Sequence, residues 1–301
     1  MSQGGSKGDH CMEFGIDYLI AVAVSSMTSA SILIIASLGL AIIFGLMGVI
    51  NLAHGEFIMI GAYTALFASK VGIPFPVAVC FATLITALFG AVIERLIIRR
   101  LYGRILDTLL VTWGLSLVLY QSAVLLFGSV TPGIGMPLAN VQIGNYTISA
   151  YLLFLIFVAF ALSVVTYVLL THTNYGIMAR AAIQNREIAA SLGIEAGRIN
   201  TITFAYGAAL AGFAGGILLP AVPATPNMGF AFVIKAFLAV VVAGPVALTG
   251  TVVAGGALGA IASATSSFWT TVAGDIFFFV ATIVILRLFP QGISLRWRLK
   301  L

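Results

Sequence analysis

What most constrains this chain is where it carries no charge. Between Asp107 and Arg180 there is no Asp, Glu, Lys or Arg, and the run between Asp17 and Glu56 is equally bare. About 20 apolar residues suffice to span a bilayer as a helix, and both runs are far longer. Soluble domains carry about 25% charged residues; here the figure is 8%, against 61% hydrophobic residues. The chain reads as an all-α, polytopic integral membrane protein.

The net charge of +5 would suit nucleic acid if it were spread over one face. It is not. Arginines gather at Arg95, Arg99, Arg100 and Arg104, at Arg180, Arg186 and Arg198, and at Arg287, Arg296 and Arg298. These positions separate apolar runs, as the positive-inside bias requires of cytoplasmic segments, so the expected surface partner is membrane lipid and no nucleic acid. Cys11 and Cys80 offer neither a disulfide framework nor metal-ligand spacing. Residues 1–13 read as a polar, disordered tail, 14–291 as a single membrane domain, and 292–301 as a basic cytoplasmic tail. The hydrophobic run after the first tail is too long for a signal-peptide core.

Charges and helix breakers mark apolar helices at 28–49, 56–72, 75–97, 108–128, 148–170, 202–222 and 268–288, with a further apolar stretch at 231–267. Residues 14–27 read as an additional short or interfacial helix. The loops 94–107 and 171–200 are both basic, so an even number of spans separates them. The tail after Arg287 is basic too, so an even number must follow residue 200. The stretch 231–267 therefore holds two crossings, one crossing with a re-entrant piece, or a helix broken at Gly244-Pro245. About eight to ten membrane segments are expected. Glycines interrupt both 45–61 and 244–259. Such interruptions in two halves point either to broken helices in a pseudo-symmetric transporter or to glycines that let helices pack.

One polar break stands out: Gly48-Val49-Ile50-Asn51-Leu52-Ala53-His54-Gly55-Glu56. Asn51, His54 and Glu56 lie at or near membrane depth, where an ionisable group is costly unless it faces protein or a water-filled path. The break reads as an aqueous loop, as the open middle of a spanning unit whose freed backbone needs partners, or as a proton relay. Gly244, Pro245 and Asp275 complete the candidates for a translocation path or broken helix, and Lys235 would pair with Asp275 if both approach the outer side. No P-loop, His-Glu-x-x-His, nucleophile elbow or Cys/His array occurs. No catalytic residue and no metal site are expected, and the chain is not read as an enzyme.

The loop 171–200 is more informative. Asn185 can cap a short helix with Glu187 in its first turn, and Gly193 can end it. A helix that short is marginal in water and suits a groove on a partner. Within this loop run Gly176-Ile177-Met178-Ala179-Arg180-Ala181, then Asn185-Arg186-Glu187, then Ala189-Ala190-Ser191-Leu192-Gly193-Ile194.

Together, these stretches resemble the permease subunits of bacterial branched-chain amino acid ABC importers, over about residues 26–291. The first is similar to that family's Gly-x-Ile-Asn-x-Ala-His-Gly-Glu signature and the second to its coupling loop. Leu101-Tyr102-Gly103-Arg104-Ile105-Leu106-Asp107-Thr108-Leu109-Leu110-Val111-Thr112-Trp113-Gly114 resembles the urea-type branch of the family. The chain departs from the family's pattern at Ala243-Gly244-Pro245-Val246 and at Lys235. The resemblance implies one half of a permease pair in the inner membrane, working with a second homologous permease, two cytoplasmic ATPases and a periplasmic solute-binding protein. ATP would be bound by the partner subunits, with no cofactor in this chain. Arg180, Asn185, Arg186, Glu187, Ala189, Ala190 and Gly193 would form the ATPase-coupling loop. The solute stays open between branched-chain amino acids and urea or short amides. The rival reading is a secondary transporter or channel working without ATP.

Overall fold

The computed structural model describes residues 16–128, 133–143, 146–244 and 247–294. The expected tail at 1–13, Cys11, Pro245 and the basic tail beyond residue 294 lie outside the described residues.

The first helix, α1 (Ile16–Met47), runs unbroken for 32 residues. The separate helix expected at 14–27 is therefore, from Ile16 onward, the beginning of α1. The serines and threonines of this region resemble a boundary in sequence, yet the Thr28 and Ser31 hydroxyls donate to the Val24 and Met27 carbonyls one turn back. Bonded in this way, they stay helical. Then follow α2 (His54–Lys70), α3 (Phe75–Leu96), a 3-10 turn (Ile98–Leu101) and α4 (Ile105–Phe127). A small antiparallel hairpin, β1 (Asn140–Ile143) and β2 (Tyr146–Ser149), leads into α5 (Ala150–His172). The loop carries α6 (Asn174–Gln184) and α7 (Arg186–Ser191), and α8 (Ala196–Leu218), α9 (Met228–Ala243), α10 (Ala247–Phe268) and α11 (Thr271–Leu288) complete the order.

Seven of these helices are long and apolar enough to cross a membrane. The shorter α9 is apolar as well, and the 17-residue α2 packs inside the bundle beside α8. The apolar stretch 231–267 resolves into two helices, α9 and α10, that fold back on each other: Ala243 packs near Gly250, and Lys235 shares a cavity with Gly259.

The centre of the bundle is α8, packed against α1, α2 and α3 through residues without bulk. A methyl group at Gly61 would overlap the Gly212 carbonyl, and one at Gly215 would overlap the Ile58 carbonyl. In lipid, helices gain little from hiding apolar surface from one another, so close backbone approach through small residues is what holds them. By contrast α4, α5 and α11 expose large apolar side chains such as Leu125, Phe160 and Ile283, the surface expected against lipid.

Both basic loops lie on one face. Arg99 donates to the Gly197 carbonyl at 2.9 Å and to the Thr201 hydroxyl at 3.2 Å. Buried Glu94 accepts from Tyr102 at 2.5 Å and Thr201 at 2.6 Å, with Arg99 at 3.6 Å. Burial, and after it the bond to Glu94, pushes the Tyr102 phenol pKa up, so the hydroxyl keeps its proton and donates. The opposite, outer face holds the start of α1, where the Tyr18 hydroxyl donates to the Ser267 carbonyl at 2.8 Å beside the α10–α11 turn.

Candidate functional site

The polar break is built where α2 begins inside the protein. After Met47 the chain turns at Gly48, whose φ of 63° suits glycine, and residues 48–53 return without forming a helix. Thr112 on α4 fastens this segment: its hydroxyl accepts from the Leu52 N–H at 3.1 Å and donates to the Ile50 carbonyl at 3.2 Å. Asn51 Oδ1 accepts from the Ala53 N–H at 3.1 Å, a local turn that launches α2. His54 Nε2 lies 3.1 Å from the Ala36 carbonyl of α1. Its ring also touches Gly39, which packs on Gly207 at the middle of α8. The N-terminus of α2 is therefore at mid-depth.

A second return meets it. Residues 219–227, with Pro220, Pro223 and Pro226, come back from the outer end of α8, and α9 starts at Met228. The first turns of α2 and α9 abut so closely that a methyl group at Gly55 would overlap the Gly229 carbonyl. From this crossing α2 climbs to the outer face. The other helix, α9, runs to the basic face, where Ser294 donates to the Ala243 carbonyl at 3.1 Å.

Two helix N-termini in contact bring two partial positive charges together. Glu56 sits between them, in the first turn of α2, with Oε2 2.7 Å from where a Cβ of Gly229 would stand. Its other oxygen accepts from Ser116 at 3.0 Å. The carboxylate thus offsets both dipoles. Asn51, His54 and Glu56 are all buried, yet Asn51 Nδ2, His54 Nδ1 and Glu56 Oε2 have no hydrogen-bond partner among the described residues. A cavity of about 210 Å³ lies alongside, walled by Leu52, Trp113, Ser116, Phe230, Val233 and Phe237. A larger one of about 580 Å³, between α2, α3 and α4, is almost wholly apolar and stands apart from these polar atoms.

Of the other predicted path residues, Gly244 and Asp275 are not at this crossing. Gly244 has a φ of 80° and turns the chain from α9 to α10 against Gly292. Asp275 is on α11 and binds Lys235 Nζ at 2.7 Å. The break that faces the first one is therefore 219–227, not 244–259. Ser116 and Gly229 went unnamed in the sequence reading, and Thr112 entered it only as part of the stretch 101–114. The two hydroxyl residues did leave a signal: Thr108, Thr112 and Ser116 recur every four residues along α4, which puts them on one face, and that face is what α4 buries.

On the basic face, α6 and α7 form a bracket. The Thr173 hydroxyl caps α6 by accepting from the Gly176 N–H, and the Arg180 guanidinium donates to the Leu170 carbonyl of α5. Tyr175 shares a 2.7 Å hydrogen bond with Thr203 of α8. Asn185 accepts from the Glu187 and Ile188 N–H groups at 3.0 Å each and begins α7. Gly193, with φ of 79°, ends it. Ala189 is buried, while Arg186, Glu187 and Ala190 are exposed, and Ile188 and Leu192 present apolar side chains to solvent.

Comparison with known proteins agrees with this architecture. Residues 22–286 match the family model described as branched-chain amino acid transport system, permease component. The chain belongs to this family. Among its relatives, the chain is 30% identical to the high-affinity branched-chain amino acid transport system permease protein BraD of Pseudomonas aeruginosa, over 90% of this chain and 94% of that protein. It is 28% identical to the permease protein LivH of Escherichia coli K12, over 92% and 95%. A probable LivH of the archaeon Methanocaldococcus jannaschii is 27% identical over 88% and 89%. No solved structure matches the chain. As a family member with seven helices long and apolar enough to cross a membrane, the protein is a multi-pass transport subunit of the bacterial inner membrane.

Proposed function

We propose that the chain is the membrane-spanning permease subunit of an ATP-driven importer for branched-chain amino acids. The observation that carries this reading is the bracket on the basic face, in a chain that matches a transport permease family over nearly its whole length. A capped six-residue helix with Ile188 and Leu192 turned outward has the form of a segment that docks in a groove on a partner. ATP binding in two separate ATPases would move that helix, and a second homologous permease and a periplasmic binding protein complete the assembly.

The bracket is tied to the interior. Tyr175 bonds α8 through Thr203, α8 packs on α2 through Gly212 and Gly215, and α2 meets α9 at Gly55 and Gly229. A push on the bracket therefore reaches the crossing through packed backbone. Coupling of this kind requires that the ATPase contacts differ between inward- and outward-facing states. The likeness of 101–114 to the urea-type branch has a local explanation, because Thr112 in that stretch fastens the break. This favours the branched-chain amino acids of the relatives over urea as the solute.

The deciding experiment is uptake by the purified complex in proteoliposomes, with leucine, urea and acetamide in competition. ATP-dependent leucine uptake insensitive to urea is expected. Solute movement by this chain alone without ATP would establish the secondary-transporter reading instead.

A further inference from the structure

Below the α10–α11 turn, Lys235 of α9 and Asp275 of α11 form an ion pair at 2.7 Å, with side chains 38% and 48% exposed. The pair opens onto a cavity of about 370 Å³, within the range of small-ligand pockets. An ion pair at membrane depth must face protein or water, and this one faces a cavity with two kinds of wall. Ser25, Ser29, Ser263, Ser266 and Thr271 supply hydroxyls from α1, α10 and α11, and Ile32, Leu33, Phe232 and Phe278 supply apolar surface. Lys235 carries one hydrogen bond among the described residues, to Asp275, and lies 5.9 Å from the Phe278 ring centroid. Two of its three N–H donors and the second Asp275 oxygen are therefore available to a ligand.

We infer that Lys235 and Asp275 are a clamp for the zwitterion of an α-amino acid. The solute's carboxylate would accept from Lys235 and its ammonium would donate to Asp275 and to the serine oxygens. Its side chain would lie on Phe232, Phe278 and the aliphatic wall. An amino acid carries both charges on one carbon, at a spacing close to that of the pair itself. Insertion would therefore exchange one internal ion pair for two with the solute. A urea or amide, uncharged, gains nothing from opening it. The Ser25 and Ser263 hydroxyls share a hydrogen bond at 3.1 Å and the Ser266 hydroxyl donates to the Ala262 carbonyl, which leaves each oxygen a lone pair that can accept from an ammonium. This inference rests on the permease reading above and names its solute site.

The test is equilibrium binding of radiolabelled leucine to the importer complex purified from its membrane, with the binding protein omitted. Uptake with the binding protein present is measured in parallel. Wild-type complex should bind leucine in competition with valine, but not with leucinamide, 4-methylpentanoate or urea, which lack one or both charges. Lys235→Gln and Asp275→Asn should each weaken binding at least tenfold. The paired change Lys235→Met with Asp275→Leu removes both charges together, so a purely structural pair would leave binding intact in a normally assembled complex. That result would overturn the clamp, as would competition by leucinamide and 4-methylpentanoate equal to that of valine. Wild-type uptake of leucine without binding at this site overturns the clamp and leaves the permease reading standing. Absence of ATP-dependent leucine uptake by the wild type overturns the permease reading itself.

Discussion

Glu56 shows how much one side chain can hold at membrane depth. Its carboxylate faces the first turns of α2 and α9 and accepts from Ser116. A negative charge at a helix N-terminus contributes up to about 2 kcal/mol in partly buried geometry. Glu56→Ala removes that charge and orphans the Ser116 hydroxyl, so the melting temperature of the purified permease should fall and uptake should be lost. Glu56→Gln keeps an acceptor for Ser116 and should lie between Ala and wild type. An unchanged melting curve for Glu56→Ala would rule out a role for the carboxylate in joining the two helices. Gly55 offers a second reading of the same contact. An added methyl meets the Gly229 carbonyl, which is backbone and cannot turn aside, so Gly55→Ala should destabilise the fold by about 1–3 kcal/mol, measured by thermal unfolding in detergent. Asn51, His54 and Glu56 were legible in the sequence because polar groups are rare in apolar runs. Gly229 was not, since a glycine that meets a helix end looks in sequence like any other membrane glycine.

Among the elements, α7 is the piece whose local sequence is most complete. Asn185 supplies the cap, Glu187 the acidic first turn and Gly193 the left-handed stop, so the predicted helix stands almost residue for residue. Removing a cap costs about 1 kcal/mol, which corresponds to roughly fivefold in a docking constant. Asn185→Ala should therefore weaken ATPase co-purification by about that factor, while Asn185→Asp, an equally good cap, should not. Gly193→Pro is harsher. Proline fixes φ near −65°, whereas Gly193 has φ of 79° and its N–H donates to the Ala190 carbonyl. ATP-driven uptake should vanish in this variant with membrane insertion unchanged, and normal uptake at normal expression would refute a coupling role for α7. The reading of 14–27 as its own helix failed for an equally local reason, because serine and threonine bonded back to their own helix carry no boundary.

For the whole molecule, the tertiary contacts place the two basic loops on one face, and the positive-inside bias then assigns that face to the cytoplasm. Arg99 joins the two basic loops on one side, and Tyr18 joins the start of α1 to the α10–α11 turn on the other. With Cys11 and Cys80 replaced, a membrane-impermeant maleimide should label Trp269→Cys from outside intact cells. It should reach Leu192→Cys only after permeabilisation, and the reverse pattern would overturn the assigned orientation.

The sequence alone determined the class of the protein, the apolar runs that become its long helices and the capped helix of the loop 171–200. All of these depend on composition or on residues close in the chain, where charge is expensive in lipid and a cap needs only its own turn. Tertiary structure decided which breaks face each other. It paired 48–53 with 219–227, left Gly244 as a turn at the basic face, and joined Lys235 to Asp275 across 40 positions. Those partnerships follow from which helices pack, and packing here is set by glycine contacts between segments far apart in the chain. A glycine shows in sequence that backbone can approach, but only the folded bundle shows what approaches it.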